Sequence, residues 1–178
     1  MKSKFLATTA AICLATLSLA GCAGHSAGEM IDDSTITAKV KTALLSEDAM
    51  TATGVNVETY KGTVALIGYV DNKDDHDRAI RAAKTVDGVT DVADAMLIAP
   101  PTRSVGTTID DQTIEGKVKY AISDMDQDTI LSVVTEVRNG EVLLGGFVSS
   151  SQAKDAVAAA VRSVEGVTKV HNRLHVKS

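Results

Sequence analysis

Two cysteines supply the strongest nucleophiles in the chain, and their settings differ. Cys13 lies within the apolar run from Phe5 to Leu19. Cys22 follows that run, directly after Leu19-Ala20-Gly21. Two small residues before a cysteine let an extended chain enter a peptidase site. A thiol at the cut can then carry an acyl-bearing group, so the chemistry expected of Cys22 is transfer of diacylglycerol to its sulfur. The four histidines are poorly spaced for metal. His171 and His175 share a strand face, but four strand residues span roughly 13 Å, too far for one ion. Asp124-Met-Asp126-Gln-Asp128 resembles the start of a calcium loop. That loop then needs glycine and glutamate where Thr129 and Thr135 stand. No nucleophile elbow, P-loop or dinucleotide fingerprint occurs. The expectation is no catalytic residue, no metal and no cofactor.

The segment before Cys22 has the three parts of an export signal. Lys2 and Lys4 give a positive start, Phe5 to Leu19 is apolar, and small residues follow. The apolar stretch falls short of the ~20 residues that span a bilayer. Leu19-Ala20-Gly21-Cys22 matches the lipobox of bacterial lipoproteins, so residues 1–21 read as a lipoprotein signal peptide and Cys22 as the site of lipidation. Cleavage there discards Cys13 and leaves no free thiol, hence no disulfide. Multiple acyl chains give stable anchoring where one does not. Ala23 rather than aspartate follows the cysteine, which by resemblance to enterobacterial sorting favours the periplasmic side of the outer membrane. Without Lys2 and Lys4 there are 16 basic against 23 acidic residues, a net −7. An acidic chain with no tryptophan is a poor partner for nucleic acid.

The elements behind the anchor are written twice. Ile31-Asp32-Asp33 recurs as Ile109-Asp110-Asp111, and Lys39-Val40-Lys41 as Lys117-Val118-Lys119. Gly62-x-Val64-x-Leu66-x-Gly68-x-Val70 recurs from Gly140, and Val86-x-Gly88-Val89-Thr90 from Val164. The offset is constant (109 − 31 = 78), and roughly a third of positions 31–98 are identical in the second copy. Residues 22–30 read as a tether, 31–98 and 109–176 as two domains, and 99–108, with Pro100 and Pro101, as a linker.

Within each copy the periodicity changes in a fixed order. Ile36, Val40, Ala43 and Leu44 mark one helical face, as do Ile114, Val118, Ala121 and Ile122. Asp33 and Asp111 are placed to cap these helices. A hairpin follows, turning at Lys61-Gly62 and at Asn139-Gly140. Second helices span 75–86 and 152–164, with Gly88 and Gly166 as their stops. A last alternating strand carries Val92 and Met96, or Val170 and Leu174. Gly68 and Gly146, inside strands, mark a bulge or a close backbone approach. The fold class is α+β: two tandem αββαβ domains, each a three-stranded mixed sheet with two helices on one face. Each ~70-residue core is small, so packing between the copies or against a partner would help to stabilise it.

Ile-Asp-Asp-x-x-Ile-x-x-Lys-Val-Lys, the Gly-x-Val-x-Leu-x-Gly hairpin and the Val-x-Gly-Val-x-x-Val ending resemble the BON domain (bacterial OsmY and nodulation). Both copies match along nearly their whole length. With its lipobox the chain looks like a dual-BON lipoprotein, its first copy similar to osmotically inducible periplasmic members. The resemblance implies a non-enzymatic role: association with anionic phospholipid and envelope integrity under osmotic stress. The alternative is a protein-interaction scaffold for envelope assembly machinery, with envelope proteins as partners and sheet edges open to strand addition. Lys117, Lys119 and Tyr120 on one helix are the candidate lipid-facing residues.

Overall fold

The computed structural model describes residues 27–47, 54–99, 105–126 and 128–177. The first repeat comprises α1 (Ala27–Glu47), β1 (Val55–Tyr60), β2 (Thr63–Val70), α2 (Lys73–Lys84) and β3 (Asp91–Ile98). The second comprises α3 (Val105–Ser123), β4 (Ile130–Arg138), β5 (Glu141–Val148), α4 (Ser151–Arg162), β6 (Lys169–Asn172) and β7 (His175–Val176). Central β2 pairs antiparallel with β1 and parallel with β3. Likewise β5 pairs antiparallel with β4 and parallel with β6 and β7. Each repeat therefore has the αββαβ order and mixed sheet that its periodicity indicates, with the last strand of the second repeat split into β6 and β7 along β5.

The turns and caps follow from local chemistry. Lys61 and Gly62 take φ of 48° and 77°, Asn139 and Gly140 take 52° and 74°, the paired left-handed conformation of a two-residue hairpin. Asn72 and Ser150 cap α2 and α4, their side chains accepting from the Asp75 and Ala153 amides at 3.0 and 3.1 Å. These helices start and stop about two residues earlier than their apolar spacing indicates. Gly88 and Gly166 do not stop them, because the caps are Thr85 and Ser163. Each glycine sits in the turn beyond, with φ of 96° or 94°, where a Cβ would stand 2.9 Å from Ile36 or Ile114. Their absent side chains let α1 and α3 approach. In Gly68 and Gly146 a Cβ would run into the carbonyl oxygens of Gly54 and Ser132, the close approach expected of strand glycines.

Asp33 and Asp111 also serve differently from expectation. The helices begin further back, at Ala27 and Val105, inside the stretches read as tether and linker. Neither aspartate is thus at a helix end. The Asp33 carboxylate accepts from the Lys61 and Gly62 amides at 2.7 and 2.9 Å. Asp111 does the same for Asn139 and Gly140, both at 2.9 Å. Each aspartate ties the first helix of its repeat to the hairpin turn.

Three cores result. Ile36, Val40 and Leu44 of α1, with Ala79, Ala82 and Ala83 of α2, cover Val57, Val64, Leu66 and Met96. Ile114, Val118, Val157, Ala158 and Val161 cover Val142, Leu144, Val148 and Leu174 in the same way. The third core joins the repeats: Ala65, Ile67, Tyr69 and Ala95 on the other face of the first sheet meet Leu143 and Phe147 of the second. Both central strands are therefore buried on two faces, which is why they read as near-continuous apolar runs. The layers run helices, sheet, sheet, helices.

The seam between the sheets has approximate two-fold symmetry. Arg138 lies over the Tyr69 ring at 4.6 Å, and Tyr60 meets Phe147 at 5.7 Å. These pairs interchange under the 78-residue offset (60 + 78 = 138; 69 + 78 = 147). The equivalents Glu58 and Glu136 each accept a bond from the opposite repeat, from Ser132 at 2.7 Å and Asn56 at 2.8 Å. Ile67 meets its own equivalent, Gly145, where a Cβ would lie 2.5 Å from the Ile67 side chain. A residue touching its own equivalent marks the axis of an isologous contact.

Candidate functional site

The first helix, the hairpin turn and the loop after the second helix converge on one end of each repeat. Asp33 bonds the turn, the turn's Gly62 carbonyl accepts from the Thr90 amide at 2.9 Å, and Gly88 makes room for Ile36. The second repeat has the same construction through Asp111, Gly140, Thr168, Gly166 and Ile114. Between these elements lies an open groove of about 520 Å³ in the first repeat and about 560 Å³ in the second.

The ten residues lining the first groove map one for one onto the ten lining the second. Eight pairs are identical; only Lys61/Asn139 and Asp87/Glu165 differ. That exceeds the roughly one-third identity of the repeats as a whole. Asp33, Ile36, Gly62 and Gly88 have the packing duties described above. Asp32, Thr35 and Lys39, like Asp110, Thr113 and Lys117, are exposed residues of the first helix and line the groove without entering a core. Their retention has no packing reason. The first groove offers two lysine ammonium groups, Lys39 and Lys61, and the second one, Lys117, each with threonine hydroxyls and carboxylates: a polar surface suited to a charged, hydrogen-bonding group. In the second groove Lys117 Nζ meets Glu165 Oε2 at 3.0 Å, and this bond holds the Glu165 carboxyl below its ordinary range.

Lys117 and Tyr120, three residues apart in α3, lie on one side of the helix, and Lys119 does not share it. Lys117 lines the groove, while Lys119 pairs with Glu115 and lines a separate cleft against β4 with Asn56 and Glu136. Two residues apart is roughly 200° around a helix, so the lysines face apart. Tyr120 is 75 % exposed. In the β4 cleft, burial first, then the nearby Glu115 charge, raises the Glu136 carboxyl above its usual range. Cys22, His25, Pro100 and Pro101 lie outside the described residues.

The histidines have partners of their own. His76 lies 3.0 Å from Asp94 and 3.2 Å from Asp77, His171 lies 2.7 Å from Glu141, and His175 meets the Phe147 ring edge-on. The Asp77 carboxyl is lowered by its hydrogen bonds from Lys73 and His76. Among the described residues no three metal-binding side chains cluster, and no helix is long and apolar enough to cross a membrane. Asp126 closes a turn, its carboxylate and carbonyl accepting from the Asp128 and Thr129 amides.

Sequence composition alone gave no view of the groove, because its lining comes from three separated segments. The signal that finds it is the pairing of exposed identical residues across the repeats.

Comparison with known proteins agrees with this organisation. The chain is 33 % identical over 151 residues to osmotically-inducible protein Y of Escherichia coli, covering 84 % of this chain and 75 % of that protein. It is 37 % identical over 145 residues to outer membrane lipoprotein DolP of Haemophilus influenzae, covering 80 % and 74 %. It is 34 % identical over 152 residues to a 21 kDa hemolysin of Actinobacillus pleuropneumoniae, covering 82 % and 75 %. The BON domain model matches residues 32–100 and again 110–178. With both repeats matched, the chain belongs to the BON-domain family.

Proposed function

We propose that this protein is a non-enzymatic envelope module, anchored by acyl chains on Cys22 at the periplasmic side of the outer membrane. There it associates with anionic phospholipid and supports envelope integrity under osmotic stress. The carrying observation is the likeness, over four-fifths of the chain, to relatives named for osmotic induction and for the outer membrane, in a chain that bears Leu19-Ala20-Gly21-Cys22.

Two measurements test the two halves of this reading. Cys22→Ser should move the protein from the membrane to the soluble periplasmic fraction; continued membrane fractionation would remove the anchor. The unacylated Cys22→Ser chain should co-sediment at low salt with vesicles containing phosphatidylglycerol. No co-sedimentation would remove direct lipid binding. One observation favours the scaffold reading: β1 and β3 are the edges of the first sheet, and β3 pairs along eight residues with β2 only. Crosslinking in cells separates the two, since reproducible protein adducts favour strand addition to such an edge.

A further inference from the structure

A smaller cleft of about 270 Å³ opens where the repeats meet. Tyr69, Leu97 and Ile98 line it from the first repeat; Arg138, Glu141 and His171 line it from the second. Four features set it apart from an ordinary surface crease. Tyr69 is 7 % exposed, and its hydroxyl is buried with no hydrogen-bond partner among the described residues. An unmet buried hydroxyl costs about 1–3 kcal/mol, so it needs a reason. Arg138 stacks on the Tyr69 ring, yet its guanidinium is ion-paired to no carboxylate among the described residues. Glu141 is already engaged, by His171 at 2.7 Å and Lys169 at 3.7 Å. Ile98 is 55 % exposed, one of few large apolar side chains so open to solvent among the described residues.

We infer that this inter-repeat cleft binds a phosphodiester group, held by the Tyr69 hydroxyl and the Arg138 guanidinium, with its organic substituent against Leu97 and Ile98. Two further carboxylates act on Tyr69 through their charge, and their oxygens are turned to other donors: Glu136 accepts from Asn56, and Asp111 from the hairpin amides. The guanidinium fork suits phosphate oxygens. Burial holds the Tyr69 hydroxyl protonated, with its pKa pushed up to about 12, so it stays a donor at any physiological pH. The volume fits a headgroup, being smaller than pockets for drug-sized ligands. The site exists only when both repeats are docked, because each contributes one of the two donors.

The diester can belong to a lipid headgroup or to a soluble molecule; only the lipid form rests on the proposed phospholipid association. Binding of the Cys22→Ser chain to glycerophosphoglycerol by calorimetry, and to phosphatidylglycerol vesicles by co-sedimentation, distinguishes them. Tyr69→Phe and Arg138→Gln are each expected to weaken binding at least fivefold. Tyr69→Phe should leave the thermal midpoint unchanged or raised, because it removes an unsatisfied group. If Arg138→Gln melts, Tyr69→Phe alone decides. Binding of neither probe, or a loss smaller than fivefold, overturns the cleft. Vesicle binding insensitive to both variants removes the cleft and keeps lipid association. Variant-sensitive headgroup binding without vesicle binding keeps the cleft and removes the lipid.

Discussion

A carboxylate inside a helix usually faces water, but Asp111 is 2 % exposed and accepts two backbone amides from a hairpin 28 and 29 residues away. Both amides sit in a left-handed turn and have no ladder partner of their own. Removing the acceptor strands them, and each buried unmet donor costs about 1–3 kcal/mol. Asp111→Ala is therefore expected to destabilise the protein by about 3 kcal/mol in urea unfolding. A loss under ~1 kcal/mol would mean that water satisfies the turn. The Ile-Asp-Asp motif was plain in the sequence, but the partner of its second aspartate was not. An aspartate ahead of an amphipathic face is a usual helix cap, and nothing local to Asp33 or Asp111 shows that the helix continues back to Ala27 or Val105. The tie to the turn is a long-range contact. The groove residues were hidden for the same reason, although Thr35/Thr113 and Lys39/Lys117 stood in the repeat alignment.

Strand and helix order were readable because each element has one face with a clear period. The second face of the central strands was harder to read. In β2, Val64 and Leu66 alternate toward the helices, while Ala65, Ile67 and Tyr69 between them are also apolar. Such a run says that the strand is covered twice without naming the cover. The structure supplies it: the sister sheet, with Ile67 seated where Gly145 has no side chain. At this pair the difference between the repeats lets the two-fold contact close. Two isoleucines would collide there, and two glycines would leave a void. Gly145→Ala should cost about 1–3 kcal/mol, because its Cβ would stand 2.5 Å from Ile67. Adding Ile67→Ala should recover part of that loss, so that the double variant is more stable than the sum of the single changes implies. Additive losses in a double-mutant cycle would show that the two positions do not press on each other.

At the scale of the whole chain, the internal symmetry makes this protein a dimer of similar domains joined by a linker. Each repeat alone would expose the apolar face built from Ala65, Ile67 and Tyr69, or from Leu143 and Phe147. Burying such side chains contributes about 1.5–3 kcal/mol for each large one, and Phe147, Leu143 and Ile67 are each at most 1 % exposed. The seam is further closed by the Glu58 and Glu136 bonds and by Arg138 on Tyr69. The covalent linker is then needed to raise local concentration, not to create the contact. A protease site inserted between residues 99 and 105, and cut in the folded protein, should leave the two halves co-eluting in gel filtration. Adding Gly145→Ala should make the cut halves separate at concentrations where the parent halves stay together. Halves that part immediately on cutting would assign the seam's stability to the linker. In that case the inter-repeat cleft, which needs Tyr69 and Arg138 side by side, would be lost with the cut as well.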